Sequence, residues 1–280
     1  MLIFAIPLKG KGSSTNWNRV QENLNNTIES VFNQKDSLNF KCIIACSDIP
    51  LVKKEYGNRL EILKLDLPVP KSHEEGVKDK WYKLSVIACR ARAIIEDDLI
   101  NEDSIYFMPL DADDLVNNKI VKYCDEFPNE NGFISKYGYV YNEGSHYIKK
   151  YKDLFKFCGS CNIINIQKND LPRRVPPFDE FTYEPNKYIY HVNHGLIPDY
   201  YKNEGKEFSI IPFPTTIYML GTGENFSNYD PIVMANRDYK SMSFRYFVRL
   251  LIHGIKTMLF SLHRYRFVNS RFKRDFKLKT

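Results

Sequence analysis

No uncharged apolar run in this chain of 280 residues reaches the roughly 18–20 residues that a membrane-spanning helix needs. The run at the start, Leu2 to Leu8, is too short for a secretory leader and has no basic flank. The expected compartment is therefore the cytoplasm. Internal repeats are lacking, which excludes a repeat array, and so are low-complexity segments and any Gly/Ser spacer between domains. Zinc-type cysteine spacing is lacking too. Cys158-Gly159-Ser160-Cys161 is a CxxC with no second pair, and it leads into an apolar strand, Asn162 to Ile166, rather than a helix. The six cysteines read as reduced thiols, four of them small hydrophobes inside apolar or helical patterns.

Charge is unevenly distributed. The chain carries +6 overall, yet from Ser241 to Thr280 ten Lys/Arg face one acid, Asp275. The body before Ser241 is mildly acidic and offers no continuous basic groove, so nucleic acid is not an expected partner.

Along the chain, Leu2–Leu8, Lys41–Cys46, Leu60–Leu65 and Ile105–Leu110 read as buried strands. A helix follows the first, with Val20, Leu24, Ile28 and Val31 on one face. A second, long helix is expected over Trp81–Ile100, and a short one over Asn118–Tyr123. Uniformly apolar strands alternating with helices predict an α/β fold with a mostly parallel sheet covered on both faces. Phe133–Tyr141 alternates as one partly exposed strand, Ser209–Phe213 and Thr215–Leu220 are further candidates, and Leu171–Pro185 is a proline-rich loop.

Asp111-Ala112-Asp113-Asp114 closes the apolar run Ser104–Leu110. Three carboxylates at the mouth of a buried strand are unfavourable unless something cationic neutralises them. A hard divalent metal that itself holds a diphosphate would do so. Asp111 and Asp113, two apart, point the same way on an extended backbone, and Asp114 can cap the following turn. Open sheets of this kind bind ligands at the carboxyl ends of their strands, which is where the cluster falls.

The stretch Leu110-Asp111-Ala112-Asp113-Asp114 resembles the DxD signature of GT-A glycosyltransferases, in particular family-2-like enzymes of the bacterial surface-polysaccharide type. Ala5-Ile6-Pro7, Asn16-Trp17-Asn18-Arg19-Val20, Leu24 and Ile28–Gln34 resemble the first βα unit of that group. The resemblance spans residues 1–125, continues loosely over 126–225 and does not cover the tail. It implies a GT-A-like doubly wound catalytic domain over 1–236, with a nucleotide-sugar half (1–125) and an acceptor half (126–236). It places the nucleotide at Pro7, Leu8 and the Cys46-Ser47-Asp48 turn. It makes Asp111, with Ala112 beside it, a ribose or metal contact and Asp113 the main ligand of Mn²⁺ or Mg²⁺. A His from the second half is often a further ligand, and His191 and His194 are available, His194 being preferred. The sequence departs from the family pattern in having Asn117-Asn118 after the motif and no Glu-Asp pair marking the base.

An inverting transfer needs a base for the acceptor hydroxyl. Phe178-Asp179-Glu180-Phe181 offers Asp179 and then Glu180 between aromatics, with Glu184 as a further acid. Lys83 and Arg90 share a face of the long helix and are candidates for the donor phosphates. In the tail, 237–280, Phe244, Phe247, Val248, Leu251, Ile255, Met258, Leu259 and Leu262 recur at helical spacing among basic residues. That pattern suits either an anionic membrane surface or packing on the body. The expected function is transfer of a sugar from a nucleotide diphosphate, UDP foremost, to a glycan or lipid-linked acceptor. The expected place is the inner face of the cell membrane. Lys9-Gly10-Lys11-Gly12 weakly echoes the loop of nucleotidyltransferases, which is one alternative; a membrane-surface binding module without enzymatic activity is another.

Overall fold

The structure, a computed structural model, describes residues 1–97, 103–184, 188–224 and 264–279. The four apolar runs are strands β1 (Leu2–Pro7), β2 (Phe40–Cys46), β3 (Leu60–Lys64) and β4 (Ser104–Pro109), paired in parallel in the order β3-β2-β1-β4. Their side chains alternate between two cores. Leu2, Phe4 and Ile6 pack with Leu24, Ile28 and Val31 of helix α1 (Trp17–Val31). Ile3 and Ala5 pack with Leu84, Ile87, Ala88 and Ala91 of helix α2 (His73–Asp97). Helices on both faces leave no wet side, which is why these strands are apolar throughout.

Helix α1 is capped by Asn16, whose side chain accepts from the Arg19 N–H at 3.1 Å. Helix α2 starts well before the expected Trp81. Ser72 caps it by accepting from the Glu75 N–H at 3.1 Å, and Glu74 and Glu75 favour its positive end. Its first turn is exposed and polar, so apolar periodicity does not reveal it.

The sheet continues beyond β4 through antiparallel β9 (Asn162–Gln167), then β6 (Gly132–Ser135) and β10 (Ser209–Ile211), making seven strands. A second, five-stranded sheet runs β12-β8-β7-β11-β5. Its members are β5 (Leu115–Val116), β7 (Tyr137–Asn142), β8 (Tyr147–Lys152), β11 (Thr216–Leu220) and β12 (Tyr265–Phe267). The single strand expected over Phe133–Tyr141 is thus two strands in different sheets. The chain turns at Lys136, where the Ser135 hydroxyl donates to the Tyr137 carbonyl.

Short helices α3 (Ile120–Glu126) and α4 (Ile197–Asn203) flank the main sheet. The chain ends in α5 (Ser270–Phe276). The expected helical tail is corrected in part. Tyr265–Phe267 is a strand paired with β8, and Phe272, Phe276 and Leu278 are buried against Leu115, Tyr141, Ile148 and Ile217 of the small sheet. Lys279 reaches Glu29 of α1 at 2.8 Å. The amphipathic stretch Phe244–Leu262 lies outside the described residues.

Candidate active site

The main sheet reverses its strand order between β1 and β4. The chain leaves β1 towards β2 on one side and returns at β4 on the other. A crevice outside the carboxyl ends of two such strands is the preferred ligand position of this architecture. A cavity of about 780 Å³ opens there. Pro7, Leu8 and Lys9 from the end of β1 line it, and so do Pro109, Asp111, Ala112 and Asp113 from the end of β4. Helix α2 contributes His73, Asp79, Lys80 and Trp81, and Gly159, Tyr183, His194, Tyr218 and Glu224 complete the lining.

The three acids part company at once. The Asp111 N–H donates to Ser160 Oγ at 3.0 Å, and one carboxylate oxygen receives the Lys80 ammonium at 2.6 Å. Asp113 accepts from the Thr222 hydroxyl at 3.2 Å. Asp114 is fully buried and is not a turn cap. It accepts from the Ser160 hydroxyl at 2.6 Å, the Met219 N–H at 3.1 Å and the Cys158 thiol at 3.3 Å. It therefore ties β4 to β11 and to the CxxC turn. Cys158 and Cys161 are buried free thiols in an apolar cluster with Leu154.

These environments set three different proton affinities. Burial pushes the Asp111 carboxyl up, but the Lys80 ammonium and the His194 imidazole outweigh it, and the pKa ends below the ordinary value. Burial and the neighbouring charge of Asp111 raise Asp113 to about 6. Burial, helped by Cys158 and the other two acids, raises Asp114 well above the ordinary carboxyl value. Burial and then Lys80 hold His194 below the ordinary histidine value, against Asp111 and a backbone contact with Lys156. At neutral pH its imidazole is uncharged, the form that ligates a metal or takes a proton.

His194 and Asp111 meet across Gly159. A methyl group added at Gly159 would stand 3.9 Å from His194 Nδ1 and 4.0 Å from Asp111 Oδ2. The Asn162 side-chain amide fixes the loop by donating to the His194 carbonyl at 3.2 Å. His191 has a different place. It is buried, its Nε2 lies 2.8 Å from Ser85 Oγ, and the rings of Trp81, Phe181, Tyr183, Tyr188 and Tyr190 surround it.

Asp111 and Asp113 fit a hard divalent cation: both offer carboxylate oxygens at the cavity, and the raised pKa of Asp113, from burial and then from Asp111, marks negative charge that the described residues do not fully offset. Among the described residues no three His, Cys, Asp or Glu side chains converge into a complete metal cage. Phosphate oxygens of a bound ligand would have to complete the shell, the usual arrangement for Mg²⁺ at nucleotide sites.

Five expected site residues stand elsewhere. The Lys83 ammonium is fully buried and engaged by Asp79 at 2.6 Å and the Leu8 carbonyl at 2.8 Å, so it steadies the end of β1 and is closed to a phosphate. Arg90 binds Glu61 on β3 at 2.6 Å. Asp48 accepts the Lys11 N–H at 2.7 Å and shapes the loop after β1 without lining the cavity. Asp179 and Glu180 are exposed at a turn outside the cavity. Their flanking rings, Phe178 and Phe181, turn inward onto Tyr82, which sends the acids outward.

Thr222 and Glu224 are site residues that sequence reasoning passed over, whereas Lys80 lies in the basic run Lys78–Lys83 expected near the donor phosphates and Ser160 in the CxxC, neither singled out within its segment. Glu224 receives Lys9 Nζ at 2.7 Å and the Asn16 N–H at 2.5 Å, closing the strap Leu220–Glu224 over the loop after β1. For Lys80 a signal existed. Asp79 stands one helical turn before Lys83 and pairs with it, which leaves Lys80 as the cation free to face the cavity.

Fold and site together define a doubly wound α/β protein with an acidic crevice at its switch point. No protein-family model and no curated sequence matches the chain. Among solved structures it is similar to a protein of Desulfovibrio desulfuricans G20 provisionally named a nucleotide-diphospho-sugar transferase, at 11% identity and a TM-score of 0.32, with 91% of this chain and 96% of that one covered. A score of that size supports no transfer of function.

Proposed function

We propose that the protein is a metal-assisted glycosyltransferase. It would take a sugar from a nucleoside diphosphate donor, UDP foremost, and pass it with inversion to a hydroxyl of a glycan or lipid-linked acceptor. The observation that carries this reading is the pair Asp111 and Asp113 on the wall of a cavity at the switch point, with Asp113 left under-neutralised by the described residues. Nucleotides favour that position in doubly wound sheets, and a diphosphate-bound cation is what the excess charge calls for. Pro7 and Leu8 would border the nucleotide and Asp111 its ribose or metal. When bound, Mn²⁺ or Mg²⁺ would offset charge on the departing diphosphate. With Asp179 and Glu180 outside the cavity, and with His194 completing no three-residue cage with Asp111 and Asp113, the neutral His194 would accept the acceptor's proton.

The test is a panel of nucleotide sugars with Mn²⁺, scored for release of nucleoside diphosphate. Asp113→Ala is expected to lose turnover while keeping its fold by circular dichroism. Wild-type turnover by that variant in chelator would refute the proposal. Pyrophosphate release from NTP plus sugar phosphate would instead favour a nucleotidyltransferase, the reading that Lys9-Gly10-Lys11-Gly12 suggests.

Membrane attachment belongs to this proposal as well. No helix of the described residues is long and apolar enough to cross a membrane. The basic stretch before Arg264 would act at an anionic surface. Cutting the chain after Asn236 would also strip β12 and α5 from the small sheet, so charge reversal at Arg245, Arg249 and Lys256 is the cleaner test. Unchanged sedimentation of that variant with anionic vesicles would refute attachment by this stretch.

A further inference from the structure

Lys80 stands where the proposed chemistry needs a mobile cation. Its ammonium lies 2.6 Å from Asp111, and its side chain is 43% exposed on the cavity wall, whereas that of Lys83 on the same helix is 1% exposed and held by two partners. Asp111 is therefore occupied by an internal cation. That occupation goes with the lack of a complete metal cage among the described residues. A metal arriving alone would have to displace the ammonium, and it would find only part of its shell.

We propose that Lys80 holds the metal position of Asp111 until a nucleoside diphosphate arrives, and then passes to the diphosphate. This rests on the glycosyltransferase reading and deepens it. The diphosphate brings both the oxygens that complete a metal shell and a second anion for the ammonium. Moving Lys80 from Asp111 to phosphate conserves its charge pairing and frees the carboxylate for the metal. In the transfer, the bond from the sugar's anomeric carbon to the diphosphate oxygen breaks with its electron pair on that oxygen. The acceptor oxygen forms the new bond and releases its proton to a cavity base. Lys80 would balance the charge left on the diphosphate.

Metal and nucleotide are then coupled. Each should bind more tightly in the presence of the other, by the same factor. Lys80→Met should move the two ligands in opposite directions: Mn²⁺ alone binds more tightly because Asp111 is freed, and UDP binds more weakly because a charged contact is lost.

The experiment is calorimetry with the full chain, titrating Mn²⁺ with and without UDP, and UDP with and without Mn²⁺. In the wild type we expect UDP to tighten Mn²⁺ binding by tenfold or more. In Lys80→Met we expect UDP affinity to fall about tenfold, uridine affinity to stay the same, and Mn²⁺ affinity without nucleotide to rise. Lys80→Arg keeps the charge and should stay close to wild type. Equal Mn²⁺ affinity with and without UDP in the wild type would overturn the proposal. So would a Lys80→Met protein that is folded by circular dichroism and binds both ligands as the wild type does. If the wild type binds none of UDP, GDP, CDP or dTDP, the glycosyltransferase reading itself falls and takes this one with it. The two failures are therefore separable.

Discussion

Asp113→Asn should stabilise the ligand-free protein while it removes activity. Burial and the charge of Asp111 raise the Asp113 carboxyl from 3.8 to about 6. Folding therefore opposes ionisation by about two pKa units, on the order of 3 kcal/mol. The cavity admits water, and screening reduces this to about 1–2 kcal/mol. The sign follows from linkage. A carboxyl whose folded pKa lies above its unfolded one contributes its full stability below the unfolded value. That contribution is lost as pH rises through the folded value. The advantage of the neutral amide should thus be small near pH 3.5, grow between about pH 4 and 6, and level off above. For a chain of this size it corresponds to a gain of about 2–8 °C in Tm. The assay is thermal melting of wild type and variant in EDTA across that range, beside UDP-sugar turnover with Mn²⁺. A variant that melts at or below the wild type at pH 7.5, or whose advantage does not change with pH, would refute the electrostatic account of the site.

Asp114→Ala removes the acceptor shared by Ser160, Cys158 and the Met219 N–H; three donors are left without it, and urea unfolding should show a loss of about 2–4 kcal/mol. Lys83→Met leaves Asp79 buried without its partner and should destabilise by about 3–5 kcal/mol, whereas Lys78→Met, at a half-buried position where the ammonium stands over the Phe178 ring at 4.7 Å, should lose no more than about 1 kcal/mol in the same unfolding series. Asp179→Asn and Glu180→Gln are exposed and outside the cavity, so kcat on any donor the panel identifies should stay within about twofold, about 0.4 kcal/mol in barrier. Gly159→Ala places a methyl group at ordinary contact distance from His194 and Asp111; it should weaken Mn²⁺–UDP binding in calorimetry with little change in Tm.

How much of this was legible before the structure depends on the range of the interaction. β1, β2 and β4 read off as apolar runs because both faces are buried, and the split of β1 into Phe4 and Ile6 on one side and Ile3 and Ala5 on the other needs only the strand's period. The small sheet was far less visible. Its strands are short and carry Lys and Tyr on their outer positions, and β6 and β7 run almost without a break in sequence. Only the turn at Lys136, fixed by Ser135, sends them to different sheets. The start of α2 was hidden for a related reason: its first turn buries nothing, so its signal lies in the Ser72 cap and not in hydrophobicity.

The acid cluster shows the same division within a single site. Its position at the end of β4 is local information. The fate of each carboxylate is not. Asp111 and Ser160 are 49 residues apart, Asp114 and Met219 are 105 apart, and Asp113 and Thr222 are 109 apart. No periodicity connects such pairs, and only the topology of the two sheets brings them together. The lysines of α2 fall between these cases. Asp79 and Lys83 are one helical turn apart and form an i,i+4 pair, a local rule. Applied to Lys78–Lys83, that rule assigns Lys83 to Asp79 and leaves Lys80 for the cavity. The shared face of Lys83 and Arg90 is real helical geometry, but burial decides which cation can meet a ligand. A charge already satisfied inside the helix is poorly placed to bind a phosphate, and the neighbour three residues earlier, paired with Asp111 at the cavity wall, inherits that role.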